Sequence, residues 1–183
     1  VEYLKNNKAN PVSDETIHAA AAKIQAPFDR QGGENSYSLH AELQEVTHNL
    51  VGIIRTGAEL KDAIAKIADI RKRSANVAVA GGRKFNPGFH LAFDLDNMLL
   101  VAESTAKSAD SREESRGGHT RDDFPGMSNE WRQVNHISSF DGQKVNVRKQ
   151  ALPPMPKELF ELFDVHELEK YMTPEEVSKG GSN

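Results

Sequence analysis

The sequence predicts a mainly α protein built as a helical bundle. Apolar residues recur every three or four positions through four long segments, the spacing of one helix face. Capping residues and breakers bracket those segments. Strand-like alternation is confined to one short stretch around Val145 and Val147.

The first segment runs from Ser13 or Asp14 to Arg30. "NPVSDET" places a cap and acids where the helix dipole favours them, and "QGGEN" ends it with two glycines. The second, near 35–54, starts at Asn35 or Ser36 and carries Tyr37, Leu39, Leu43, Val46, Leu50, Ile53 and Ile54. Gly52 weakens its last turn, so a kink or an end is expected there. Thr56 is the expected N-cap of the third, over 57–78, where Leu60, Ile64, Ile67 and Ile70 lie opposite a basic face. The fourth opens with Asn86 as cap and Pro87 as first helical residue, and is expected to run over 87–116 to the Gly117-Gly118 pair. Leu43, Leu50, Leu60, Ile64, Ile67, Leu91, Leu95, Met98 and Leu99 form the expected core.

Two domains follow from this reading: a helical bundle over 1–117, and over 118–183 a charged turn, a short strand-like segment, a Pro-rich exit and a C-terminal helix. "PKELFELFDVHELEKYM" reads as that amphipathic helix, and "TPEEVSKGGSN" as a frayed end.

Bulk properties remove whole classes of function. The chain has 183 residues, 37% hydrophobic and 27% charged, with a net charge of -4, so no general electrostatic pull toward nucleic acid is expected. The absence of cysteine excludes disulfides, thiol nucleophiles and cysteine metal sites. No apolar run approaches the ~20 residues of a membrane span, so no membrane insertion is expected. "VEYLKNNKAN" lacks the apolar core of a signal peptide, and a start at Val1 instead of methionine suggests a piece of something longer.

Motifs for chemistry are sparse. "GGENSYS" and "GGRKFNPG" lack phosphate-loop spacing and read as helix termini and turns. The seven histidines show no metal-ligand spacing, and Arg121 argues against a cation site formed by His119 with Asp122 or Asp123. Ser115, beside Arg116 and His119, reads as a backbone cap in preference to a nucleophile.

One stretch stands apart. "SREESRGGHTRDDFP", residues 111–125, lies in a region with eight charged residues between Asp110 and Asp123, five acidic and three basic. Arginine forks pair bidentately with carboxylates, and a glycine pair permits a sharp reversal. The expectation is a charge-paired turn made of Glu114, Arg116, Gly117, Gly118, His119, Arg121, Asp122 and Asp123. Adjacent side chains diverge, so Arg121 is expected to find its partner at Glu113 or Glu114, or beyond Trp131.

These residues carry a resemblance. "ESRGGHTRDDFPGMSNEWRQVNHI" resembles the carboxy-terminal region of the flavoprotein subunit of succinate dehydrogenase and fumarate reductase. "GGENSYSLHAELQE", "VGIIRTGAELKDAIAKIADIR" and "NPGFHLAFDLDNMLLVAES" resemble the helices that precede it, from about residue 12 to about residue 155. L-aspartate oxidase shares an ESRG-type turn, and its helical domain is the alternative, as is a free-standing helical interaction module. The "GENSYSLH" match and the tail beyond Trp131 favour succinate dehydrogenase.

The resemblance implies an up-and-down, spectrin-like three-helix bundle, with an additional long helix or helical segment and an irregular C-terminal extension. It implies a parent enzyme that oxidises succinate to fumarate, passing electrons from FAD to an iron–sulfur subunit. The parent's location would be cytoplasmic, peripheral at the inner face of the cell membrane. Partners would be the FAD-binding and capping domains of the same subunit and the iron–sulfur subunit. The family's flavin-attachment histidine, capping-domain arginine and substrate-binding residues lie upstream. No catalytic, cofactor-binding or metal residue is therefore assigned to this chain, and it is expected to be inactive alone, without FAD.

Overall fold

A computed structural model describes residues 2–178 and 180. Its elements in chain order are α1 (Glu2–Asn6), α2 (Asp14–Asp29), α3 (Ser36–Leu50), β1 (Ile54–Arg55), α4 (Gly57–Ser74), α5 (Pro87–Ser111), β2 (Thr120–Arg121), α6 (Asn129–Arg132), β3 (Val134–Phe140), β4 (Val145–Ala151), α7 (Lys157–Phe160), α8 (Val165–Leu168) and α9 (Pro174–Ser178).

The chain divides into two compact units, Val1–Met127 with Ser138–Val147, and Ser128–Ile137 with the rest from Arg148. The first is a three-helix bundle. Leu39, Leu43 and Val46 of α3 meet Ala63, Ile67 and Ile70 of α4 and Leu95, Leu99 and Ala106 of α5 in one apolar cluster. Two backbone links set the helix directions. Glu34, just before α3, bridges Val77, just after α4. β1, at the start of α4, pairs in parallel with β2, just past the end of α5. Start therefore meets end in both pairs, and the three helices run up, down and up.

Local signals explain the helix starts. Asn35 accepts the Tyr37 and Ser38 amides, Thr56 and Glu59 form a reciprocal capping box, and Asn86 accepts the Phe89 amide. Gly33, at φ +150°, sits where an added Cβ would lie 2.3 Å from the Asn76 carbonyl oxygen. Only glycine lets the chain pass the end of α4 there.

Two of the helix ends, those of α4 and α5, depart from expectation. α5 stops at Ser111, short of the glycine pair; at Arg112 the backbone turns to ψ 96°. Asp110, Glu113 and Glu114 gather negative charge where the helix dipole is already negative, which opposes continuation. α4 stops at Ser74, freeing Val77 to enter the core. α3 ends at Leu50 with Val51 as C-cap, beside Gly52, in agreement with the end expected there.

Of the nominated core residues, Leu43, Leu60, Ile67, Leu95 and Leu99 are buried, and Leu50, Ile64 and Leu91 are half-buried. Met98 is 36% exposed and flanks the buried stripe of α5. The first segment, although helical as expected, contributes no buried residue. It leans on the bundle through the Phe28–Phe89 ring contact at 4.9 Å and the Val79 amide, which donates to the Pro27 carbonyl.

β3 and β4 pair as a hairpin, so Val145 and Val147 do lie in a strand. The tip, in the first unit, turns on Asp141, whose carboxylate accepts the Gln143 and Lys144 amides at 2.9 Å each. Those amides, with Asn146, hold the Asp141 carboxyl down at about 2. Val145 is buried on α5, where its amide donates to Glu103 and its carbonyl accepts from Lys107. Burial alone would push the Glu103 carboxyl up, but Lys107, the Val145 amide and Arg71 together hold it low.

In the second unit Trp131 is buried, with His136 edge-on at 5.3 Å and the Lys149 ammonium 3.7 Å above its ring. The expected long amphipathic helix is instead two short ones, α7 and α8. Asp164 caps the second by accepting the His166 amide, a local bond that competes with helix continuation. Residues 179 and 181–183 of the expected frayed end lie outside the described residues; α9 covers its earlier part.

Candidate functional site

The charged turn begins where α5 ends. Glu114 is 1% exposed, and two arginines close on it. Arg112 donates through Nε and Nη2 to Oε1, at 2.9 and 2.6 Å. Arg116 donates through Nε to Oε1 and through Nη2 to Oε2, at 3.0 and 3.1 Å. A carboxylate this deeply enclosed requires such partners, because an unpaired charge there is strongly disfavoured.

The chain then reverses. Arg116 and His119 exchange both backbone hydrogen bonds, at 2.8 and 3.1 Å, with Gly117 and Gly118 between them. Gly117 takes φ +59°, the left-handed conformation glycine accepts readily. Ser115 clamps the return. Its hydroxyl accepts the Arg121 amide at 2.8 Å and lies within donating reach of the Arg121 and Phe124 carbonyls. That is the backbone-capping role.

Arg121 is 2% exposed, and each of its guanidinium nitrogens donates. Nε and Nη2 fork onto the two oxygens of Asp123, both at 2.8 Å. Nη1 reaches the Ala109 and Asp110 carbonyls at 3.0 Å, capping α5 with positive charge where its dipole is negative. The Phe124 ring lies 4.9 Å from the guanidinium carbon. The expected partner at Glu113 or Glu114 is therefore replaced by Asp123. The Phe124 amide bonds back to the Arg121 carbonyl, and this tight turn brings positions two apart onto one side.

Asp123 also accepts the Gly57 amide at 2.9 Å, at the N-terminus of α4. The Arg121 fork first, with the Gly57 amide adding, holds its carboxyl far below the usual range. One ion pair thus ties the start of α4 to the end of α5. Gly57 fits because a Cβ there would lie 2.9 Å from Arg121 Nη2.

His119 bonds through Nε2 to the Arg112 carbonyl at 2.9 Å. Burial holds its imidazole below the usual range, and Arg55, Arg112 and Arg121 add repulsion against the raising effect of that carbonyl. Asp122 is exposed; its backbone amide bonds to the Arg55 carbonyl, while its carboxylate takes no part in the network. Arg55 itself, paired across the strands with Arg121, is buried and was not marked out by the sequence reading. A lone arginine after two isoleucines carries no local signal of burial.

Among the described residues, no three His, Asp or Glu side chains converge as a metal site, and no helix is long and apolar enough to cross a membrane. The arginines of the turn are engaged by carboxylates and carbonyls of this same chain.

The fold and site define a three-helix bundle domain whose third helix is stitched to its second by a charge-paired turn. Residues 40–169 match the family described as fumarate reductase flavoprotein C-term. The chain belongs to that family, the carboxy-terminal region of succinate dehydrogenase and fumarate reductase flavoprotein subunits. It is 37% identical over 132 residues to an uncharacterised FAD-dependent oxidoreductase of Methanocaldococcus jannaschii, covering 72% of this chain and 23% of that protein. It is 28% identical over 160 residues to a succinate dehydrogenase flavoprotein subunit of Coxiella burnetii, covering 84% and 26%. Its structure resembles a chain of the Mycobacterium smegmatis Sdh1 complex in the apo form, with a TM-score of 0.83 at 44% identity over 97% of this chain and 31% of that one. The chain therefore spans roughly a quarter to a third of the length of these relatives.

Proposed function

We propose that this chain serves as the helical domain of a flavoprotein subunit that interconverts succinate and fumarate and passes electrons between FAD and an iron–sulfur subunit. In this reading the chemistry resides in FAD-binding and capping domains outside the chain. The chain supplies shape and contact surface, and binds no flavin by itself. The parent would sit peripherally at the inner face of the cell membrane.

The family match over residues 40–169 carries the proposal. The geometry of the turn supports it. Glu114, Arg116, His119, Arg121 and Asp123 bind partners within the turn and at the helix ends, Gly117 and Gly118 form the reversal, and the Arg116 and Arg121 forks are engaged by carboxylates of this chain. Ile53 and Ile54, 71% and 65% exposed beside Thr120, give the turn an apolar flank suited to an interdomain contact.

The test compares the purified chain with a whole subunit carrying it. The chain alone should show no flavin absorbance and no succinate-dependent dye reduction, while the subunit shows both. Stoichiometric flavin or turnover in the isolated chain overturns the proposal, and so does a whole subunit that assembles with flavin but does not act on succinate or fumarate.

A further inference from the structure

A second site lies on the first unit, away from the charged turn. Between α2, the end of α4, the first half of α5 and the tip of the β3–β4 hairpin there is a cavity of about 550 Å³. That size suits a small organic molecule. Much of its wall is apolar, with Ile24 and Pro27 from α2, Phe89, Phe93 and Leu100 from α5, and Phe140 from the hairpin; polar side chains line the rest.

The charges around it do not balance. Lys23, Arg30 and Arg71 line the cavity against a single carboxylate, Asp96. Lys23 faces Asp96 at 3.8 Å, both well exposed. That leaves the two arginines. Arg30 is half-buried, and its one hydrogen bond among the described residues goes to the Val77 carbonyl at 2.5 Å. Arg71 pairs with Glu103, but Glu103 is shared with Lys107 and with the Val145 amide. Arg71 Nη2 is enclosed and has no hydrogen-bond acceptor among the described residues, and its guanidinium lies 6.0 Å from the centre of the Phe140 ring. The cavity lining thus carries more positive than negative charge, in a setting where a guanidinium gains from a carboxylate.

We propose that this cavity binds an organic monoanion with an apolar body, such as a medium-chain or aromatic carboxylate. The carboxylate neutralises the Arg30 and Arg71 side, and the hydrocarbon lies against Phe89, Phe93 and Leu100. A dicarboxylate fits poorly, because its second charge meets aromatic walls and Asp96. The site is therefore distinct in chemistry from one that recognises succinate or fumarate.

Octanoate is the probe, followed by amide chemical shifts and calorimetry on the chain; 1-octanol tests the apolar body without charge, and inorganic phosphate and succinate test charge without that body. Octanoate should saturate with shifts centred on Ile24, Ala75 and Phe93, while the other three at equal concentration shift these amides little. Arg30→Gln should weaken octanoate at least tenfold. Ala75→Trp, at an exposed position on the cavity rim, should fill the mouth and abolish binding while the core amides stay in place. If Arg30→Gln disturbs the fold, the Trp variant decides alone. The proposal is overturned by an unsaturable response, by octanol or phosphate binding as well as octanoate, by shifts centred elsewhere, or by wild-type affinity in Ala75→Trp.

Discussion

Arg121 and Asp123, two positions apart, form a two-pronged pair at 2.8 Å whose other ends hold two helices: Arg121 the carbonyls closing α5, Asp123 the amide opening α4. Each charge sits at the helix end whose dipole attracts it. The pair thus acts as a clasp between the second and third rods of the bundle.

The clasp depends on the planar fork, beyond charge alone. Arg121→Ala should cost roughly 2–4 kcal/mol: it removes a buried, fully hydrogen-bonded guanidinium and leaves the α5 carbonyls uncapped, while Asp123, still partly in solvent, keeps hydration. Arg121→Lys keeps the charge but cannot serve Asp123 and the α5 carbonyls together, so it should recover less than half of the loss. Urea denaturation of the three proteins measures this. A lysine variant as stable as wild type would show that the fork geometry is unimportant.

Acid should loosen the same turn in two stages. His119 is held below its usual value near 6.5, so the unfolded chain takes up its proton first. Stability should begin to fall as pH drops through roughly 6.5, and His119 contributes nothing to the pH dependence above that. Asp123 is displaced downward as well. Its contribution is complete above the unfolded value near 3.9 and is lost as pH falls toward its folded value. His119→Gln should flatten the melting temperature between about pH 7 and 5 and leave the second stage in place. An unchanged first stage would assign it to another of the seven histidines.

Core burial in α5 separates neighbouring positions sharply. Leu95 is 0% exposed and Met98 is 36% exposed. Leu95→Ala should cost roughly 2–5 kcal/mol, because it opens a cavity between three helices. Met98→Ala should cost below about 1 kcal/mol, since most of what it removes already faces solvent. Equal losses would mean that α5 is rotated about its axis from the arrangement described.

Much of the bundle was legible because helix starts are encoded locally. Asn35, Thr56 and Asn86 cap through their own side chains to amides two or three residues on. Helix ends were legible where glycines mark them, at Arg30 and beside Gly52, but not for α4 and α5. At the end of α5, local acids oppose continuation, and Arg121, ten residues beyond Ser111, caps the Ala109 and Asp110 carbonyls. The periodicity of the first segment marked a helix correctly but not its burial, which depends on what lies opposite. At the candidate site, composition announced a charge-paired turn, yet neighbour geometry misassigned the partner of Arg121, because the turn that folds Asp123 back is a tertiary feature. The hairpin had a readable signal, Asp141-Gly142 between two alternating runs, which the strand reading of Val145 and Val147 used only in half.

The last prediction concerns what the turn does in a larger assembly. Arg116 pairs with Glu114 beside the exposed Gly117-Gly118 reversal, whereas Arg121 lies inside the bundle. Arg112 also serves Glu114, so Arg116→Ala leaves that buried carboxylate with a cationic partner. Folding of this chain should therefore suffer modestly, by about 1–2 kcal/mol, less than with Arg121→Ala. If the turn is an interdomain contact, the same change in a whole subunit should lower flavin content and assembled yield by more than this stability loss explains. The measurement pairs the melting temperature of the chain with the flavin-to-protein ratio and turnover of the subunit. A chain that unfolds while the assembled subunit is unaffected sinks the interface reading. A subunit that assembles with full flavin but loses turnover together with substrate affinity would move the turn into the active site, and the structural assignment of Arg116 would be wrong.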